Sequence, residues 1–141
     1  MFGREFADAS VGIERTPDGR RLCVDREIDA PAEVLWDFLT DTERWPEWGP
    51  TVTAVDCDRR QIGPGTTGRV QTVGGLWLPF EITAFEPGRR WTWDVARLPA
   101  TGHRVAGDRP CRVGFEIPLV GAGYAPVCAD ALQKLARLAD G

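Results

Sequence analysis

The sequence APVCADALQKLARLA, residues 125–139, is the most clearly amphipathic segment of the chain. Its apolar side chains recur at helical spacing on one stripe, and its polar and charged side chains lie on the opposite stripe. The apolar stripe consists of Cys128, Ala131, Leu132, Leu135, Leu138 and Ala139. A helix of this kind must bury its stripe against another apolar surface, and Pro126 is tolerated in a first turn. We therefore predict a long C-terminal helix packed on the rest of the protein.

Turn signals divide most of the remaining chain into segments of strand length. They are TPDG at 16–19, GPG at 63–65, GG at 74–75, PG at 87–88 and GDRP at 107–110. Turns at such short intervals are typical of consecutive antiparallel strands. We expect an antiparallel meander, and one face of it is the only surface large enough to receive the C-terminal helix.

Two shorter helical segments are predicted before the meander. Asp29 is a candidate N-terminal cap, and Pro31 stands at the start of a helix over residues 32–39, where its missing N–H costs nothing. A second helical piece is predicted over residues 42–48, which glycine and proline at 49–50 would end.

This order of elements resembles the SRPBCC superfamily, which includes START domains, the birch-pollen allergen and polyketide cyclase/dehydrase-like proteins. The residues that carry the resemblance are EIDAPAEVLW at 27–36, TDTERWPEW at 40–48 and ITAFEPGRRW at 82–91. The resemblance implies an α+β helix-grip fold, a curved antiparallel sheet wrapped around the long C-terminal helix, with two short helices after the first family strand. It assigns residues 20–141 to that domain and leaves residues 1–19 as an N-terminal extension that would add an edge hairpin. It also implies a cavity between helix and sheet, which we expect to be the largest in the protein.

Composition and charge exclude several classes of partner. Seventeen lysines and arginines against 21 aspartates and glutamates give a net charge of −4, so no basic field exists to hold a phosphate backbone. No apolar run approaches the roughly 20 residues that a membrane span requires. The first residues, MFGREF, lack the apolar core of a secretion signal. We expect a cytoplasmic protein with no nucleic-acid partner and no membrane span, and the sequence does not indicate its oligomeric state.

The four cysteines lack metal-ligand spacing, and with a single histidine a zinc site would need an unusual ligand set. No CxxC pair is present, and the cysteines stand mostly among apolar neighbours, which favours reduced thiols acting as small core residues. The glycines at 74–75 form a turn rather than a nucleotide-binding loop. We predict neither a metal nor another cofactor.

Strand alternation predicts which side chains face the cavity. Phe115 belongs to the apolar set of residues 111–117, and Trp91 and Trp93 to that of residues 90–95. Val105 orients its strand so that Thr101 and His103 face inward beside it.

His103 has three open interpretations. Its ring could move a proton as a catalytic acid or base, donate a hydrogen bond to a ligand carbonyl, or be satisfied by a neighbouring polar group. Burial without a carboxylate neighbour should lower its pKa. Glu81 is either an exposed carboxylate or a buried partner of His103, because a bulge near Pro79 would swap the facing of its strand. Arg69 and Gln71 share this ambiguity.

The six tryptophans indicate either an aromatic core or an aromatic-lined pocket. Trp36, Trp45 and Trp48 fall in the helical region, where they either pack in the core or line the cavity mouth. Tyr124 either places its hydroxyl at the cavity end or makes a structural hydrogen bond. The candidate ligand-binding residues are Trp91, Trp93, His103, Phe115, Tyr124 and Cys128.

Three functions compete on this basis. The first is binding of a small apolar, aromatic or polycyclic ligand, favoured by the tryptophans and by the scarcity of interior charge. The second is a polyketide cyclase or dehydratase in which His103 serves as acid or base. The third is a module that binds another protein. A buried Glu81 or Arg69 beside His103 would favour the enzyme.

Overall fold

The computed structural model describes residues 8–140, whose centre is an eight-stranded antiparallel sheet. Along the sheet the strands follow the order β1-β2-β8-β7-β6-β5-β4-β3. The elements are β1 (Ser10–Thr16), β2 (Gly19–Ile28), α1 (Ala32–Thr40), α2 (Trp45–Trp48), β3 (Val52–Asp56), β4 (Thr67–Thr72), β5 (Trp77–Glu86), β6 (Arg90–Val95), β7 (Leu98–Gly107), β8 (Cys111–Pro118), a 3₁₀ segment (Leu119–Tyr124) and α3 (Ala125–Asp140). The strands β3 to β8 form the predicted meander, and α1 and α2 make the one crossover between β2 and β3.

The C-terminal helix α3 packs against β2 and β8, on the inner face of the sheet. Leu132 and Leu135 are fully buried there. Leu138, expected to be buried with them, is only half-buried because it lies in the last turns of the helix, at the margin of the core. The sheet and the helix together confirm the α+β helix-grip fold. No helix within residues 8–140 is both long enough and apolar enough to cross a lipid bilayer.

The start of α1 is capped from a distant part of the chain. Pro31 occupies the N-cap position, and no side chain of the neighbouring residues caps the helix. Instead, the Ala32 N–H donates to the Asp108 carboxylate at 2.8 Å. The expectation that Asp29 caps this helix is therefore wrong, because a cap needs only an acceptor at the helix end and the β7–β8 turn supplies it.

Helix α2 is shorter than predicted and begins at Trp45. Residues 42–44 form a turn instead, since the Thr42 hydroxyl bonds to the carbonyl oxygens of Arg59 and Arg60 at 3.1 and 3.0 Å. Two indole N–H groups then tie α2 to the end of α1. Trp45 Nε1 donates to the Leu39 carbonyl at 2.9 Å, and Trp48 Nε1 donates to the Phe38 carbonyl at 2.8 Å.

Strands β1 and β2 form a hairpin at one edge of the sheet. In its turn the Thr16 hydroxyl donates to the Gly19 carbonyl at 2.7 Å and accepts from the Asp18 N–H at 3.2 Å. Part of the predicted N-terminal extension, residues 1–7, lies outside the described residues, as does Gly141. The domain boundary after residue 19 stays a prediction.

The outer face of the sheet holds a buried ion network. The Asp25 carboxylate accepts from Arg104 at 2.8 Å, and the Glu116 carboxylate accepts from Arg90 at 2.7 Å. Both carboxylates are almost fully buried. A Cβ at Gly114 would overlap the Asp25 carboxylate, so the network depends on glycine at that strand position.

Because the leucines of the α3 stripe are buried to different depths, replacing them by alanine should lower the stability of the protein by different amounts. Leu132→Ala should lower the free energy of unfolding by about 3 kcal/mol, since it leaves a cavity in the core, and Leu138→Ala by roughly 1 kcal/mol. Urea denaturation of the two variants measures the difference. Equal losses in both variants would contradict the observed depth of the two side chains.

Candidate functional site

Three aromatic side chains lie side by side on the inner face of the sheet. His103 of β7 pairs directly with Trp91 of β6 on one side and with Phe115 of β8 on the other. Side chains of directly paired residues project from the same face, as the alternation predicted. The His103 ring stacks on Trp91 with 3.8 Å between ring centroids, and it meets Phe115 edge-on at 5.3 Å.

Helix α2 covers this row with two more indoles. Trp45 lies nearly parallel to Trp91 with 5.6 Å between centroids, and Trp48 stacks on Phe115 at 5.8 Å. The Trp91 ring thus lies between the Trp45 and His103 rings. From the sequence, Trp45 and Trp48 could either pack in the core or line the cavity. In the structure both side chains are buried and both line the cavity. Trp36 packs on Phe85 instead.

These rings enclose a cavity of about 70 Å³ between α2, α3 and the sheet. All six residues singled out in the sequence line it: Trp91, Trp93, His103, Phe115, Tyr124 and Cys128. The sequence did not assign Trp45 or Trp48 to the cavity. The signal that could have done so is their three-residue spacing, which places both side chains on one face of a short helix. Thr51 was missed, since nothing in the sequence indicates that the α2–β3 loop closes the cavity.

An apolar groove of about 440 Å³ adjoins the cavity at the end of the sheet where β6 turns into β7. Its walls include Val95, Ala100, Ile117 and Val120. Residues common to the cavity and the groove are Thr51, Val52, Trp93, Thr101 and Tyr124. The Thr51 and Tyr124 hydroxyls are hydrogen-bonded to each other where the two meet. Cavity and groove are therefore neighbours that share these five residues.

Both ring nitrogens of His103 have hydrogen-bond partners. Nδ1 lies 3.4 Å from the Trp91 carbonyl oxygen, and Nε2 lies 3.1 Å from the Thr101 hydroxyl. A carbonyl oxygen can only accept, so Nδ1 carries the proton and Nε2 accepts from Thr101. The Thr101 oxygen in turn accepts from Trp93 Nε1 at 3.2 Å. His103 is thus a satisfied neutral imidazole, as one of its three interpretations held.

The titratable groups that line the cavity are all neutral near pH 7. Desolvation lowers the pKa of His103 to about 3, as expected for an imidazole that is only 2% exposed. Burial raises the pKa of the Cys128 thiol to about 12 and also raises the pKa of the Tyr124 hydroxyl. None of the three changes charge in the range where an acid or base works best.

Glu81 is exposed on the outer face of the sheet, away from His103. Its neighbours Phe80 and Ile82 are buried inward, and the bulge in β5 falls between Ile82 and Ala84 rather than near Pro79. The alternation of β5 side chains between the two faces of the sheet is therefore interrupted only after Glu81. Arg69 is exposed as well, and Gln71 shares its parity on β4.

The expectation that the largest hollow lies between helix and sheet is wrong. A depression of about 560 Å³ on the outer face of β4 to β6 is larger, and its lining includes Asp56, Arg69, Glu81 and Asp94. The inner cavity is small, and four indole rings, those of Trp45, Trp48, Trp91 and Trp93, are part of its lining. Cys57 borders this depression and is half-buried, so it departs from the prediction of four core cysteines, while the other three are buried.

The sheet, the gripping helix and the enclosed cavity define the chain as a helix-grip protein. Residues 20–139 match the family model described as polyketide cyclase / dehydrase and lipid transport. Because the match spans most of the sequence, the chain belongs to this family, and the resemblance to the SRPBCC superfamily is confirmed. No curated protein matches the sequence.

Solved structures with the same fold include protein MLL2253 from Mesorhizobium loti, which is 19% identical, with a TM-score of 0.68 over 84% of this chain and 95% of that one. CalU16 from Micromonospora echinospora is 20% identical, with a TM-score of 0.60 over 93% and 82% of the two chains. DynU16, from the dynemicin biosynthetic locus, is 20% identical, with a TM-score of 0.62 over 84% of this chain and 46% of that one. At these identities the likeness establishes the fold alone.

His103 should keep one charge state across the physiological range. Because it is the only histidine in the chain, its ring signals need no assignment by mutagenesis once any affinity tag is removed. Two-bond ¹H–¹⁵N spectra recorded from pH 5 to 8 should give a protonated Nδ1, an unprotonated Nε2 and no titration. An inflection near pH 6.5 would contradict the buried neutral ring.

The lowered pKa of His103 also makes stability depend on pH. As pH falls below about 6.5 the unfolded chain binds a proton at His103, but the native state does not until about pH 3, so stability is lost across that window. The free energy of unfolding of the wild type, relative to His103→Gln, should therefore fall by up to about 1.4 kcal/mol per pH unit between pH 6 and 4. Denaturant titrations at each pH measure it. A difference independent of pH would refute the shift.

Proposed function

We propose that this protein binds a small apolar ligand, aromatic or polycyclic, in the hollow formed by the cavity and the groove. The observation that carries the proposal is the chemistry of the lining. No Asp, Glu, Lys or Arg is among the residues that line either part, and six aromatic side chains and His103 line the cavity. An uncharged, ring-lined hollow favours apolar, flat molecules over ionic ones.

The two volumes suggest how such a ligand lies. The groove of about 440 Å³ falls in the range that small-molecule sites occupy, whereas the cavity of about 70 Å³ holds only a few non-hydrogen atoms. The bulk of the ligand would lie in the groove between Val95, Ala100 and Val120. One small end would pass Thr51 and Tyr124 and reach the indoles.

Catalysis of the cyclase or dehydratase type has less support. Such an enzyme needs a group that exchanges a proton at the reacting atoms, and His103 is neutral with both nitrogens engaged. Glu81, the candidate second member of an acid–base pair, is exposed on the other face of the sheet. We therefore place His103 among the residues that shape the site and favour binding over turnover.

Binding is tested with N-phenyl-1-naphthylamine, a neutral aromatic fluorophore that brightens in apolar surroundings. The wild type should bind it saturably with one site per chain. Ala100→Trp, which places an indole in the groove, should weaken binding by more than about tenfold, since one filled groove removes most of the contact area. Gly12→Trp is the matched control, because it adds the same indole on β1, where nothing lies within 4 Å of a new Cβ.

Unchanged affinity in Ala100→Trp, or equal losses in both variants, would overturn the proposed site. Native mass spectrometry of the purified wild type complements the titration, because a co-purifying molecule gives the chemical class of the ligand directly. Chromatography of the probe after incubation separates carriage from catalysis. A chemically altered probe would argue for the enzyme.

A further inference from the structure

A short strap connects strand β8 to helix α3 beside the cavity. The strap is the 3₁₀ segment Leu119–Tyr124, and none of its six residues is buried, although most of β8 and much of α3 lie in the core. Gly121 departs from helical geometry, and a second glycine stands at position 123. Glycine has more conformational freedom than other residues, and segments with few buried contacts open at low cost. The strap can therefore move while β8 and α3 stay in place.

Tyr124 holds the strap to the opposite side of the cavity. It carries the only polar side chain of the strap, and its hydroxyl is hydrogen-bonded to the Thr51 hydroxyl in the loop between α2 and β3. Because Tyr124 is 37% exposed, this bond lies near the surface rather than in the core. A hydrogen bond between two neutral, partly exposed groups contributes little, so it can break and re-form without unfolding the domain.

The Thr51–Tyr124 pair lies where the cavity meets the groove. Both residues line both spaces, and all five residues that the two linings share are at least partly exposed. By contrast, His103, Phe115 and Cys128 line only the cavity, and none of them is more than 3% exposed. The pair therefore stands on the outer side of a cavity whose deep side is closed to water.

The cavity must widen before a ring can enter it. Its volume is about 70 Å³, whereas sites for small molecules usually have at least about 300 Å³. The strands that line it belong to the sheet, and helix α2 is tied to α1 by the indole N–H groups of Trp45 and Trp48. The strap has no side-chain tie except the Tyr124 hydroxyl, so it is the wall that can give way.

We propose that the hydroxyl pair of Thr51 and Tyr124 is a latch, whose opening lets the strap move away from the α2–β3 loop and admits a ligand from the groove into the cavity. The proposal rests on the binding function proposed above and adds control of entry to the same site. Entry is then limited by how often the latch opens, as in other proteins that close a site with a lid.

Cys128 reports the opening of the latch without any ligand. Its thiol lines the cavity and is 3% exposed, so a reagent reaches it only when the wall opens. Cys23 and Cys111 are fully buried and line neither the cavity nor the groove, so they react only when the core itself opens. Each cysteine falls in a different tryptic peptide, so mass spectrometry after a pulse of iodoacetamide measures every rate in one sample. In the wild type, Cys128 should be modified faster than Cys23 and Cys111.

Removing either hydroxyl should make the latch open more often. Tyr124→Phe and Thr51→Val each delete the hydrogen bond and keep the shape of the side chain, so each should raise the rate of Cys128 modification by about fivefold. The double variant should show no further increase, because both changes remove the same bond. The rates at Cys23 and Cys111 should stay at their wild-type values.

Thr53→Val is the matched control. The Thr53 hydroxyl donates to the Gln71 carbonyl at 3.1 Å on the neighbouring strand, and Thr53 lines neither the cavity nor the groove. This variant loses the same chemical group and should modify Cys128 at the wild-type rate. Unchanged Cys128 rates in both latch variants, or rates that rise equally at all three buried cysteines, would overturn the latch.

The same labelling separates the latch from the binding function. Saturating N-phenyl-1-naphthylamine should slow the modification of Cys128 in the wild type, because the bound probe closes the way to the thiol. Binding of the probe without protection of Cys128 would overturn entry through the latch and leave binding in the groove standing. Failure of the probe to bind would overturn the proposed function, and with it the role of the latch in ligand entry.

Discussion

The stack in which Trp91 lies between Trp45 and His103 is the contact on which the interior depends. It joins α2 to β6 and β7, with 5.6 and 3.8 Å between the ring centroids. Because Trp45 is also hydrogen-bonded to the end of α1, the stack fixes both short helices over the sheet. The same rings line the cavity of about 70 Å³, and among them His103 is only 2% exposed. The size of the cavity and the charge state of its histidine both follow from this one packing arrangement.

Periodicity predicted the parts of the molecule that repeat. The 3.6-residue stripe predicts α3, and strand alternation places Trp91, His103 and Phe115 on one face. Contacts between residues distant in sequence could not be predicted in this way. Asp108 caps α1 although it lies 76 residues away in the sequence, and no local sequence pattern indicates this contact. The bulge after Ile82 could not be predicted from the sequence either, because one extra residue in a strand leaves the alternation before it unchanged.

Charge is segregated between the two faces of the sheet. On the outer face Asp25 and Glu116 are buried yet paired with Arg104 and Arg90, so their desolvation is offset by charge-assisted hydrogen bonds. Glycine on the neighbouring strand makes room for these carboxylates, a role that the sequence does not reveal. On the inner face the cavity has no charged side chain to pair. An ion placed there would carry an uncompensated charge into an apolar cavity, which supports the proposed preference for neutral ligands.

The sequence directed attention to the only histidine, since a titratable group in an apolar pocket is a common sign of catalysis. In the folded protein the same burial argues against that role, because it lowers the pKa of His103 far below neutrality while Thr101 and the Trp91 carbonyl occupy both nitrogens. Whether both nitrogens of a buried ring find partners depends on where every neighbour lies in the folded chain, so the sequence alone left three interpretations of His103 open.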